Sequence, residues 1–125
     1  MHEHATTSRW NDPQYGAAFY IFSSFPDPSV CEFCWRHVDS GGIETQKLLE
    51  ATAPWSHGER LLVKAAVDLF QPGGVQRFGH RPANLGEIAN TLDDEQLQVV
   101  LNALKVVRGE VRALDLVPEM ARALD

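Results

Sequence analysis

The sequence predicts an all-α protein, a small irregular helical bundle around a central buried helix at residues 56–70. Three observations carry that expectation. Ser56-His57-Gly58-Glu59 has the form of a capping box, in which a hydroxyl and a carboxylate satisfy the free amides of a helix start. Leu61, Leu62, Val63, Ala65, Ala66, Val67, Leu69 and Phe70 then follow, apolar on nearly every side, with only a narrow polar stripe of Arg60, Lys64, Asp68 and Gln71. A helix of that kind is enclosed by others. Finally, Asp-Pro pairs, each a carboxylate cap followed by the proline that suits a first helical turn, stand at Asp12-Pro13 and Asp27-Pro28.

Taken in order, residues 1–12 read as a polar arm broken only by Trp10. From Pro13, Tyr15, Ala18, Phe19 and Phe22 recur at helical spacing, although FYIF fits a short strand equally well. The fold class therefore includes a short β or irregular element near the N-terminus. The helix opened by Asp27-Pro28 is expected to stop at Gly41-Gly42, and a short helix over Glu44–Thr52 to end before Pro54. Pro72-Gly73-Gly74 ends the central helix, and residues 71–84 form a long loop. Asn84 caps a short helix with Ile88, Ala89 and Leu92 facing inward. Asp93-Asp94 opens a longer one with Leu97, Val100, Leu101, Leu104 and Val107 on one face, stopping at Gly109. A tail with Leu114, Leu116 and Val117 leads to Pro118 and a last turn ending at Leu124.

A chain of 125 residues suits a single helical domain over 1–125, large enough for a core without disulfide staples. Two cysteines are too few for a disulfide scaffold. No apolar run approaches the ~18 residues of a membrane span, and MHEHATTSRW lacks the apolar centre of a signal peptide, so a cytoplasmic location is the expectation. The net charge is −6. Residues 1–54 hold three Lys/Arg against seven Asp/Glu, and residues 55–125 eight against ten, so neither half carries the electrostatic footprint of a nucleic-acid or lipid binder.

Both cysteines lie in CEFCWRH, residues 31–37. On a helix from Pro28, Val30, Cys31, Cys34, Trp35 and Val38 make one apolar stripe, so core packing is the leading reading of the thiols. The alternative is a zinc site formed by Cys31, Cys34 and His37, with His57 or His80 as the fourth ligand. A redox pair is the third reading, since Cys31 stands in a first helical turn whose amides lower a thiol's pKa. The strands of a thioredoxin-like fold are not foreseen after residue 54.

The loop QPGGVQRFGHRPAN gathers Arg77, Phe78, His80 and Arg81 in an otherwise acidic chain. Two guanidiniums suit a carboxylate or phosphate, and Phe78 a planar group, so these four are candidate binding residues. Asn84–Arg108, with L-x-E-I-A-x-x-L, a brief turn and a second helix, broadly resembles helix-turn-helix DNA-binding domains. That resemblance implies tri-helical packing with the helix after residue 93 as the reader of the groove. Asp93, Asp94 and Glu95 at its start would face phosphates and repel them, so DNA is not the expected partner. They form instead a candidate second contact surface for a protein. Ser56, His57 and Glu59 include nucleophile, base and acid types, but one helix turn does not give them relay geometry, and no catalytic residue is assigned. The sequence therefore points to a non-enzymatic regulatory or adaptor domain with a protein partner. No membrane contact and no cofactor are expected, zinc being the alternative, and Trp10 and Trp55 are possible aromatic additions to the contact.

Overall fold

Asp12 and Pro13 open the first helix as the sequence predicts. The computed structural model describes residues 12–39 and 42–117. Most of the arm expected at 1–12, with Trp10, and the last turn expected from Pro118 to Leu124 lie outside them. In helix α1, Pro13–Phe22, the Asp12 carboxylate accepts a hydrogen bond from the Tyr15 amide at 3.0 Å. At the other end the Ser23 and Ser24 hydroxyls donate to the carbonyls of Phe19 and Tyr20 at 2.8 and 2.6 Å. With both ends satisfied and every side from Tyr15 to Phe22 buried, α1 is a helix and the strand alternative for FYIF falls away. Burying side chains such as Ile21 and Phe22 stabilises the fold by about 1.5–3 kcal/mol each.

Helix α2, Pro28–Trp35, is capped by Asp27, which accepts from the amide and hydroxyl of Ser29. It stops well short of Gly41-Gly42. The chain instead extends into β1, Val38–Asp39, which pairs antiparallel with β2, Gly42–Ile43, in the register Val38 to Ile43 and Asp39 to Gly42. The Glu44 amide closes the hairpin on the His37 carbonyl at 2.7 Å. Gly42 therefore serves a turn rather than a helix end: its φ is +136°, and a Cβ there would lie 2.9 Å from Phe70 Cζ. The hairpin thus stands where the sequence suggested the end of a helix, and not at FYIF, where a short strand had been weighed.

Helix α3, Thr45–Ala51, buries Leu48 and Leu49. Helix α4, Pro54 having been passed, covers His57–Phe70 with the complete Ser56–Glu59 capping box. It packs against α1, against α3, against the short turn α5 (Gly74–Arg77), against α6 (Leu85–Thr91) and against α7 (Asp94–Val107). That is the central position expected of it. The interior is shared, however, because α4 keeps its polar stripe while α1 keeps none. The Asp68 carboxylate of that stripe accepts from the Val75 amide at 3.1 Å and holds α5 against α4.

Asn84 and Asp93 cap α6 and α7 as predicted, through the amides of Glu87 and Gln96 at 2.8 Å each. The inward faces differ from expectation. Ala89 is exposed. On α7 the buried residues are Val100, Ala103 and Val106, whereas Leu101 and Leu104 remain 43% and 42% exposed. The small Ala103, fully buried, brings α7 close to α1, and Asn102 Nδ2 donates to the Tyr20 hydroxyl at 2.9 Å. These contacts rotate the helix away from its most leucine-rich face. Gly109 ends α7 with φ +80°, and α8, Ala113–Leu116, follows. Among the described residues no helix is long and apolar enough to cross a membrane.

Gly42 combines a positive φ with contact to Phe70, so Gly42→Ala should lower stability by about 1–3 kcal/mol. Urea unfolding of the two proteins checks it, and an unchanged midpoint would show that the hairpin bears no strain.

Candidate functional site

The cysteines belong to the core. Cys31 and Cys34 are 4% and 0% exposed, and both are free. The Cys31 thiol donates to the Phe25 carbonyl at 3.3 Å. Burial raises the Cys31 pKa, the opposite of the lowering expected from the helix start, because loss of water outweighs the amides. Burial, with the charges of Cys31 and Glu59 behind it, pushes Cys34 up to about 12. The histidines proposed to join them are engaged elsewhere. His37 Nδ1 lies 3.0 Å from the Phe33 carbonyl on its own helix, and His57 Nε2 lies 3.2 Å from Glu87 Oε2. Among the described residues no group of three or more His, Cys, Asp or Glu is placed to hold a metal ion, so the arrangement does not assemble the ligands Cys31, Cys34, His37 and His57. Trp55 is also a packing residue, set edge-on to Phe25 and tilted against Phe33 with ring centroids 6.1 and 5.4 Å away.

The four candidates of the 71–84 loop are dispersed. Arg77 is exposed at the end of α5. Phe78, 38% exposed, lies over an open shallow groove with Ile43 and the first residues of α3. His80 faces a small cavity of about 70 Å³ whose walls include Leu49, Thr52, Arg60 and Lys64. Arg81 turns toward α4. There it meets two cations that the sequence had placed in a polar stripe without assigning them a role.

His57, Arg60 and Lys64, spaced i, i+3 and i+7, share one face of α4. Together with Leu61, Arg81 and Glu87 they line a groove of about 280 Å³. Among the described residues Glu87 is its one carboxylate. Its Oε2 accepts from Arg81 Nη2 at 3.0 Å and stands 3.2 Å from His57 Nε2, while its Oε1 accepts from Asn84 Nδ2 at 3.1 Å. The hydrogen bond from Arg81 is the first cause that holds the Glu87 carboxyl below its ordinary pKa, with His57 and the Asn84 backbone assisting and desolvation opposing. Arg60 and Lys64 differ from Arg81 in having no ion pair among the described residues. Arg60 Nε is buried and has no hydrogen-bond partner among them. Among the described residues the groove therefore presents two cations without an ion pair and a third held by Glu87. The signal in the sequence was the spacing 57, 60, 64; what it lacked was the fold that brings Arg81 alongside.

The acidic candidates occupy another place. Asp93 forms a capping box with Gln96, whose Oε1 accepts from the Asp93 amide at 3.1 Å, and Asp94 is exposed in the first turn of α7. Asp93 and Glu95 line a separate cavity of about 230 Å³ with Ser56, Glu59 and an apolar floor of Phe25, Leu62 and Val99. The first turn of α4 thus has acidic residues on one flank and basic residues on the other.

Compared with protein-family models, curated proteins and solved structures, the chain matches none. The geometry of the groove is the available guide.

Two measurements test these assignments. At pH 8 a pKa near 12 leaves the native Cys34 thiolate about a thousandfold scarcer than at the ordinary value of 9.0, so iodoacetamide should label Cys34 far more slowly in the native than in the urea-unfolded protein. Equal rates, read by mass spectrometry, would contradict its burial. For Glu87, a folded pKa below the unfolded value of 4.5 contributes stability that is present above pH 4.5 and lost as pH falls through the folded value. Glu87→Gln should therefore lower the melting temperature at pH 7, and the gap from the parent should narrow below pH 4.5. A gap independent of pH would remove the ion pair as its cause.

Proposed function

We propose that the chain is a non-enzymatic regulatory or adaptor domain that binds another protein, whose anionic group enters the groove of His57, Arg60, Lys64, Arg81 and Glu87. The observation that carries this reading is the pair of cations without an ion pair among the described residues, Arg60 and Lys64, in a chain of net charge −6. Where carboxylates outnumber cations, two basic side chains that share a groove and form no ion pair among the described residues are suited to an external anion. A hydrogen bond to a charged group contributes about 1.5–3 kcal/mol, and leaving the buried Arg60 Nε unsatisfied costs about 1–3 kcal/mol.

The size of the groove favours a protein over a metabolite. At about 280 Å³ and open to solvent, it falls just below the usual ~300–1,000 Å³ of pockets that enclose small ligands. It accepts one charged group while the rest of its bearer lies on the surface. Phe78 and Arg77 are exposed nearby in sequence for that outer contact, and Asp93, Asp94 and Glu95 offer a second patch for basic residues of the same partner. A cytoplasmic setting accords with two free thiols.

Affinity capture from the host extract, followed by mass spectrometry, tests the reading. Proteins retained by the parent should fall about tenfold or more with an Arg60→Ala, Lys64→Ala, Arg81→Ala triple variant that keeps its circular dichroism, and their retention should weaken with salt. The same proteins recovered in the same amounts would overturn it.

A further inference from the structure

Resting on the reading of the groove as the seat of a partner's anionic group, we infer that this group is a phosphate monoester dianion, the phosphorylated serine or threonine side chain of a protein partner. The charge count selects it. Arg60, Lys64 and Arg81 against Glu87 leave the groove at +2. A phosphorylated side chain carries about −1.5 to −2 at neutral pH and balances that charge, whereas a carboxylate leaves half of it uncompensated.

The donors fit as well. Arg60 and Lys64 stand one turn apart on the same face of α4, so both address one anion from one side. Arg81 addresses it from the other and binds Glu87 through Nη2, which leaves the rest of its five N–H donors for a second acceptor. Three basic side chains match the three terminal oxygens of a phosphate monoester better than the two of a carboxylate. Glu87 shows that the groove already handles an oxyanion: one of its oxygens draws Arg81 and His57 together. It also keeps Arg81 in place before the ligand arrives.

The surroundings select a single phosphate over a polyanion. Glu59, Asp93 and Glu95 lie across the first turn of α4 from the groove, and the whole chain is at −6. A nucleic-acid backbone or a sheet of anionic lipid that continued past the groove would meet those carboxylates, whereas one phosphate on a peptide does not.

The test uses the whole chain and arrayed peptides of degenerate sequence carrying phosphoserine, serine or aspartate at the fixed centre, read by fluorescence anisotropy. A single-stranded oligonucleotide and vesicles containing a phosphoinositide serve as the other sources of phosphate. The expected result is phosphoserine binding at least about tenfold tighter than aspartate, no binding of serine, and loss of the phosphoserine signal in Lys64→Ala and in the exposed-site variant Arg81→Gln, with Lys105→Ala, an exposed cation of α7 outside the groove, unchanged. Equal affinity for aspartate and phosphoserine peptides overturns the phosphate assignment while the reading of an anion-receiving adaptor stands. Tighter binding of the oligonucleotide or the vesicles overturns the protein source. If no peptide binds, the inference falls. The capture experiment with the triple variant then decides whether the broader reading falls with it.

Discussion

Everything in this fold is arranged around the need to hide α1. A ten-residue helix with no polar face cannot rest on one neighbour; it has to be covered by α4 on one flank and α7 on another, with α8 adding to the cover. Gly16, Ala17 and Ala18 keep its middle thin, which lets the covering helices approach, and the aromatic residues on either side fill the space left at its ends. Tyr15 packs edge-on against Phe70, so the far end of α4 is tied to the near end of α1. The polar termini that such a buried helix leaves behind are satisfied by side chains next to it in sequence, Asp12, Ser23 and Ser24.

Helix starts were legible in the sequence because a cap acts over three residues. Asp12, Asp27, Ser56, Asn84 and Asp93 each bond an amide of the turn they precede, and no distant part of the chain is needed to decide that. Helix ends and helix faces depend on contacts that sequence spacing does not reveal. Glycines 41 and 42 look like the stop of a helix, but Gly42 is claimed by the ring of Phe70, nearly thirty residues on, and by strand pairing. The leucines of α7 look like its inner face, but α1 selects the small Ala103 and the β-branched residues beside it. The thiols were legible as core because their stripe is local to α2. The groove was legible only in part: Arg81 stood out, while Arg60 and Lys64 read as the solvated side of a buried helix until the loop was folded back over them.

Charge in this molecule is sorted rather than spread. The start of α4 divides a cavity bearing Glu59, Asp93 and Glu95 from a groove bearing Arg60, Lys64 and Arg81, so the field changes sign across the width of one helix. Glu87 is the residue that keeps this separation in balance. Its backbone completes the cap of α6 through Asn84, and its carboxylate anchors Arg81 against α4. One side chain thereby couples the placement of a helix to the electrostatics of the groove.

One place where α4 and α7 approach closely is a glycine. A Cβ on Gly58 would stand 3.0 Å from both terminal atoms of the Gln96 side chain, the same carboxamide that completes the cap of α7. A residue in the first turn of one helix therefore touches the side chain that helps cap another, almost forty positions later. A larger residue at position 58 would press first on that carboxamide, the flexible end of a side chain. The basic groove, which draws on the opposite face of α4, would keep its cations. The two charged flanks of that helix thus rest on different contacts, the acidic one on the start of α7 and the basic one on Arg81 and Glu87.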